Sequence, residues 1–146
     1  MIRVQQGDFN ITDEYQALLT KNDCGAVVTF VGRVRDFGGD GIPFLLQHYP
    51  GMTENVLASI EKEALRRWPL LASTIIHRVG ELNVDDQIVF VGVSSAHRKA
   101  AFQACEFMID VLKTQAPFWK KEGAHWVDAK DTDQQAAGTW LNSTKD

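Results

Sequence analysis

Two short stretches of this chain hold seven side chains suited to an anionic substrate. Arg33 and Arg35 lie in GRVRDFGGDG, and His97, Arg98, Lys113, Lys120 and Lys121 lie in SSAHRKAAFQACEFMIDVLKTQAPFWKKE. Alternation along an extended chain puts Arg33 and Arg35 on one side, with Val34 between them. Two guanidinium forks there offer paired donors to a phosphate or carboxylate. A flexible connection with two solvated arginines has the same composition. The glycines that follow, Gly38, Gly39 and Gly41, make a loop but not a phosphate-binding Walker loop, because the Gly-Lys-Ser/Thr ending is missing.

The second stretch reads as a strand end, a helix of about four to five turns and a stop at Pro117. Ser94 and Ser95 are the expected N-caps, with His97 and Arg98 in the first turn. That end of a helix carries partial positive charge, so cations cost up to about 1 kcal/mol unless an anion joins them. Three solvated cations, His97, Arg98 and Lys99, tolerating that cost is the plain alternative. Lys113 lies near the helix end and Lys120 follows Pro117, Phe118 and Trp119. An amine crowded by apolar groups and other ammonium groups loses a proton more easily, which suits acid–base or nucleophilic work. Snorkelling surface lysines are the alternative.

The helix itself has two apolar sides. Ala101, Cys105, Met108, Ile109, Leu112 and Ala116 form one, and Ala100, Ala104, Phe107 and Val111 the other. Either a second subunit covers the second stripe, or one thick core does.

Around this helix the pattern predicts strands at Ile2–Val4, Ala26–Val31, Pro43–Tyr49, Thr74–Val79, Gln87–Ser94 and about His125–Ala129. A helix capped by Asn10 runs to about Thr20, and one capped by Thr53 runs to about Arg67. His48, at a strand end, reads as structural. Short connections after Val31 and Val79 point to antiparallel pairing, hence an α+β fold with a mainly antiparallel sheet and three main helices.

The 146 residues suit one domain, with 131–146 as a polar tail. A net charge of −4 argues against bulk nucleic-acid or membrane binding and leaves any anion site as a local cationic cluster. Cys24 and Cys105 have neither metal-ligand nor disulfide spacing, and Cys105 reads as an inert core thiol. The absence of an apolar leader or spanning run makes a cytoplasmic protein the expectation.

Taken together, AVVTFVGRVRD, HYPGMT, RRWP, IIHRVGEL, VGVSSAHRKAAFQACEFMIDVLKTQAPFWKKE and WVDA resemble the large, catalytic subunit of molybdopterin synthase, in that family's order. The resemblance runs from about Gly25 to Trp140. It implies an α/β hammerhead-type fold. It also implies an enzyme that adds two dithiolene sulfurs to cyclic pyranopterin monophosphate, making molybdopterin. The sulfur comes from the C-terminal Gly-Gly thiocarboxylate of a ubiquitin-like small subunit, and a homodimer of large subunits forms the centre of a heterotetramer.

Residue by residue, the resemblance makes Lys113 and Lys120 catalytic. Arg33, Val34, Arg35, His97, Arg98, Lys113, Lys120, Lys121 and Glu122 become the substrate-binding set. The cluster lacks metal-ligand spacing, so no metal is expected, and no cofactor. Lys130 stands where some relatives carry arginine and stays outside the set. Gly123-Ala124-His125 is a shortened rim. Three other readings are a non-catalytic docking module for a ubiquitin-like sulfur carrier, an RNA-binding domain stacking bases on Phe118 and Trp119, and a persulfide carrier using Cys24 or Cys105.

Overall fold

Apolar runs rich in β-branched residues build the first of two sheets in the computed structural model, which describes residues 1–36, 44–122, 125–127, 138 and 140. In chain order the elements are β1 (Ile2–Gln5), α1 (Ile11–Ala17), β2 (Ala26–Arg33), β3 (Phe44–His48), α2 (Met52–Arg67) and β4 (Leu70–Arg78). Then come β5 (Gly80–Leu82), β6 (Gln87–Ser95), α3 (Arg98–Gln115), β7 (Phe118–Glu122) and β8 (His125–Val127). One sheet has the order β1-β4-β6-β2 and the other β5-β3-β7-β8. Only the β1–β4 pair is parallel among the described pairs. This is the expected α+β class with a mainly antiparallel framework and three helices.

The main core lies where α2 and α3 cover one face of the first sheet. Ile75, Val91 and Val93 meet Leu57, Ile60, Ala101, Ala104, Cys105 and Met108 there. The second stripe of α3 is buried inside this same chain. Phe107 packs on Trp68 (5.3 Å between ring centres) and on Trp140 (5.8 Å), and Ala104 and Val111 are buried in the same cluster. The thick-core alternative therefore accounts for that stripe. Phe9, Leu18, Ile76 and Phe90 fill the opposite face, under α1. A third cluster, Val34, Phe44, Leu46, Val79 and Leu82, joins the second sheet to Phe118, Val4 and Ile88.

Several boundaries depart from the sequence reading. Ser94 and Ser95 are buried strand residues, and Ser95 donates to the Pro69 carbonyl at 2.9 Å. His97 is the N-cap of α3 and makes no side-chain cap bond. Strand pairing of Ser94 and Ser95 with β2 and β4 outweighs their capping preference. Asn10 does cap α1, accepting from Asp13 at 3.1 Å, but the helix stops at Ala17. Gly51, at φ +84°, caps α2 in place of Thr53, and its N–H is held by Glu54 at 2.6 Å. Thr53 lies inside the helix, with its hydroxyl bonded to Tyr49.

The short connection after Val31 does not make a hairpin. β2 pairs with β6 and β3 pairs with β7, in different sheets. The connection after Val79 does return the chain antiparallel, as β6 beside β4, with β5 inserted between them. The glycine loop Gly38–Gly41, Asp128, Ala129, Lys130 and most of the 131–146 tail lie outside the described residues. Among the described residues, no helix is long and apolar enough to cross a membrane.

Candidate functional site

The direction of α3 decides which candidate residues meet. It leaves the end of β6 at Arg98, and Cys105 at its middle donates to the Val91 carbonyl at 3.7 Å, midway along β6. Its far end hands the chain to Phe118, which packs on the same apolar cluster as Ile88, near the start of β6. The helix therefore runs back along the sheet. Lys113, in its last turn, lies about 22 Å from Arg98 at 1.5 Å per residue.

β2 spans the same sheet. Ala26 lies opposite Ser95, beside the His97–Arg98 end. Arg33 lies opposite Gln87, about 23 Å further along at 3.3 Å per residue. Its continuation, Val34, is buried in the cluster that also receives Phe118.

One chain thus gathers Arg33, Val34 and Arg35, the Lys113 end of α3 and strand β7 at one end. It leaves His97 and Arg98 at the other. Arg35 and the His97–Arg98 pair, which the resemblance places around one substrate, do not meet within the chain. His97, Arg98, Lys113, Arg33 and Arg35 are all exposed.

The arginine segment is held by the turn before β6. Val34 donates to the Asp86 carbonyl at 2.9 Å and accepts from the Asp85 N–H at 2.8 Å. Arg33 bonds Asp85 twice, to its carbonyl at 3.2 Å and its carboxylate at 3.2 Å. Asp85 adopts φ +74°, and Asp86 closes the turn by accepting the Asn83 N–H at 2.8 Å. Arg33 is therefore engaged with its own chain, while Arg35 follows the clamp. These aspartates were not among the sequence-predicted residues. The positive-φ turn NVDD was their only trace.

Lys120, Lys121 and Glu122 lie on β7, a strand the sequence reading did not predict. In the register, position 120 faces Leu46 and Val127, position 121 faces Leu45 and Trp126, and position 122 faces Phe44 and His125. The side chains of 120–122 lie outside the described residues. The strand starts from a fixed turn, in which Ala116 N–H donates to Leu112 at 3.2 Å and Phe118 N–H to Ala116 at 2.9 Å. On the strand itself, half-exposed Trp119 pairs with Tyr49 at 6.3 Å.

Cys105 is not placed for sulfur chemistry. Cys105 is buried, and its thiol is pushed up to about 12, first by burial and then by the charge of Glu106. A thiol held that high is not a nucleophile at neutral pH. Among the described residues, no three His, Cys, Asp or Glu side chains converge to hold a metal ion. A groove of about 290 Å³ between α2 and α3, among Ile60, Glu63, Arg67 and Phe107, contains none of the predicted site residues.

A model of the family described as MoaE protein matches residues 4–115. The chain belongs to the MoaE family. A relative from Vibrio cholerae, named molybdopterin synthase catalytic subunit, is 54% identical over 145 residues, covering 95% of this chain and 97% of its own. The structure of a molybdopterin biosynthesis MoaE protein from Burkholderia ambifaria superposes with a TM-score of 0.85 at 48% identity, over 96% of this chain and 97% of that one. A Staphylococcus aureus structure titled molybdopterin synthase matches with a TM-score of 0.78 at 30% identity, over 86% and 95% of the two chains. Membership makes the chain an enzyme of molybdopterin biosynthesis, as the motifs implied. The docking-module, RNA-binding and cysteine-carrier readings fall away with it.

Proposed function

We propose that the chain transfers sulfur from the thiocarboxylated C-terminus of a ubiquitin-like small subunit to cyclic pyranopterin monophosphate, forming the dithiolene of molybdopterin. The observation that carries this reading is the meeting of the clamped arginine segment and the lysine strand around one apolar cluster, at the Lys113 end of α3. Both substrate and donor are anionic. A cationic pocket on a chain of net charge −4 selects them locally without attracting polyanions in general.

In this reading Lys113 holds the thiocarboxylate and stabilises the oxyanion that forms when its carbonyl carbon is attacked. Lys120 moves protons to and from the pterin carbons. Arg33, Val34 and Arg35, with Lys121 and Glu122, shape the substrate pocket. Each transfer forms a carbon–sulfur bond on the pterin side chain, breaks the acyl carbon–sulfur bond of the tail, and breaks a carbon–oxygen bond on that side chain, once as the cyclic phosphate opens to a monoester and once with loss of the oxygen as water. Water takes the acyl group, and the spent tail leaves as a carboxylate. Two tails serve each product, and the exchange of oxygen for sulfur needs no outside oxidant or reductant.

His97 and Arg98 enter through a second copy of the chain. They stand about 22 Å from Lys113 along one helix, too far to share a small substrate with it. A homodimer that sets the Arg98 end of one α3 against the Lys113 end of the other completes the pocket with a phosphate-holding pair. Among the described residues β2 is an edge strand, and its Phe30 and Phe102 on α3 are both exposed and offer surface for such a contact. Residues 1–146 act as one domain, in the cytoplasm.

The test is a single-turnover reaction of the purified chain with thiocarboxylated small subunit and cyclic pyranopterin monophosphate, read as dithiolene-containing pterin. Product that disappears with Lys113→Ala or Lys120→Ala is the expected result. Wild-type turnover in both variants sinks the assignment, and tight small-subunit binding without product would return the docking-module reading.

A further inference from the structure

His77 is a buried imidazole in an otherwise apolar stretch of β4, flanked in the sheet by Val4 and Val89. Burying a polar ring there costs free energy that a leucine would not incur. Its Nδ1 lies 2.9 Å from the Arg78 carbonyl. A carbonyl only accepts, so Nδ1 carries the proton. The ring face is stacked on Phe118, with centres 3.9 Å apart and planes 23° apart. On β3, His48 lies opposite Phe118 and its ring centre is 6.5 Å away. Phe118 thus meets an imidazole from each sheet.

We propose that His77 is a positioning residue for sulfur transfer: its stack on Phe118 fixes the lysine strand relative to α3. The inference rests on the assignment of Lys113 and Lys120 above. The path between those two lysines is short and passes through Phe118. α3 ends at Gln115, the turn is tied by the Ala116–Leu112 and Phe118–Ala116 bonds, and β7 begins at Phe118 itself.

The backbone bonds fix the turn to α3, and pairing with β3 and β8 fixes β7 within its own sheet. The His77–Phe118 stack links that junction directly to the sheet beneath α3. Without it the strand can slide against the helix, and a displacement of about 1 Å at reacting groups can cost about a hundredfold in rate. The Nδ1 bond to Arg78 holds the imidazole in this stacked orientation, 23° from the phenyl plane.

The test compares His77→Asn, which keeps a donor but loses the ring, with His77→Phe, which keeps a flat ring. Single-turnover rate, small-subunit affinity and thermal midpoint are measured for each beside the wild type. The expected result for His77→Asn is a rate at least about tenfold lower, with affinity within about threefold. His77→Phe should recover most of that rate. Phe118→Leu should repeat the His77→Asn pattern, which keeps the test sound should His77→Asn unfold. A wild-type rate in His77→Asn, or equal losses in His77→Asn and His77→Phe, overturns the role of the stack. No product from the wild type itself overturns the sulfur-transfer assignment instead, and this inference with it.

Discussion

Gly25 donates its backbone N–H to the Ser95 carbonyl at 3.1 Å, and a Cβ at position 25 would stand 2.2 Å from the Ala96 carbonyl oxygen. The start of β2 therefore presses against the backbone just before His97. Gly25→Ala must push that backbone aside, because no flexible side chain is there to yield. We expect a loss of about 1–3 kcal/mol in urea unfolding. Activity should fall further than stability explains, since the displaced residues carry His97 and Arg98. A variant with unchanged midpoint and rate would show that this approach is looser than described.

A pocket shared by two copies makes a quantitative prediction for mixtures. Arg98→Ala and Lys113→Ala chains should each be inactive alone. After exchange of subunits in equal amounts, half of the dimers are mixed, and each mixed dimer has one intact pocket, so activity should return to about a quarter of wild type. No recovery after exchange, checked by mass spectrometry of differently tagged chains, would place both residues in one copy's site.

Cys105 should be unreactive in the folded protein. With its thiol at about 12, only about one molecule in ten thousand carries the thiolate at pH 8. Iodoacetamide should label half-exposed Cys24 first and reach Cys105 only on unfolding. Equal labelling of the two in native buffer would contradict the burial described.

Glu63 ties acid stability to α2. Its carboxyl is held down from 4.5 to about 2, first by its bonds to Arg66 and then by Arg67. A group lowered on folding contributes stability above its unfolded value and loses it as pH falls toward its folded one. The contribution of Glu63 is therefore present above pH 4.5 and lost toward pH 2. The pair is partly exposed, so the effect is small. Urea midpoints of wild type and Glu63→Gln should differ at neutral pH and converge across that window. A constant gap would assign the effect to packing.

Much of this was legible in residue spacing, and the failures have definite causes. The periodicity of α3 identified both of its buried sides, but not that α2 and Trp140 cover the second, because periodicity marks an apolar face without naming its cover. β7 escaped because FWKKE has no two-residue alternation and follows a proline; pairing with β3 makes it a strand. Ser94 and Ser95 looked like caps because serine caps well in isolation, whereas neighbours on both sides draw them into the sheet. The two lysines and the arginines came from the family resemblance. Their division into two groups was already implied by the length of α3, since one straight helix cannot bring its own ends together.

The three tryptophans whose side chains are described fall into two environments, and that arrangement makes the molecule its own spectroscopic instrument. Trp119 is 46% exposed beside Tyr49, on the strand that carries Lys120, whereas Trp68 and Trp140 are part-buried against Phe107 between the helices. Emission from the first is open to iodide and to anything that settles against the strand. Emission from the other two reports on the seam between α2 and α3. A ligand arriving at the pocket and a loosening of the helices would therefore change different parts of one spectrum, with no label attached.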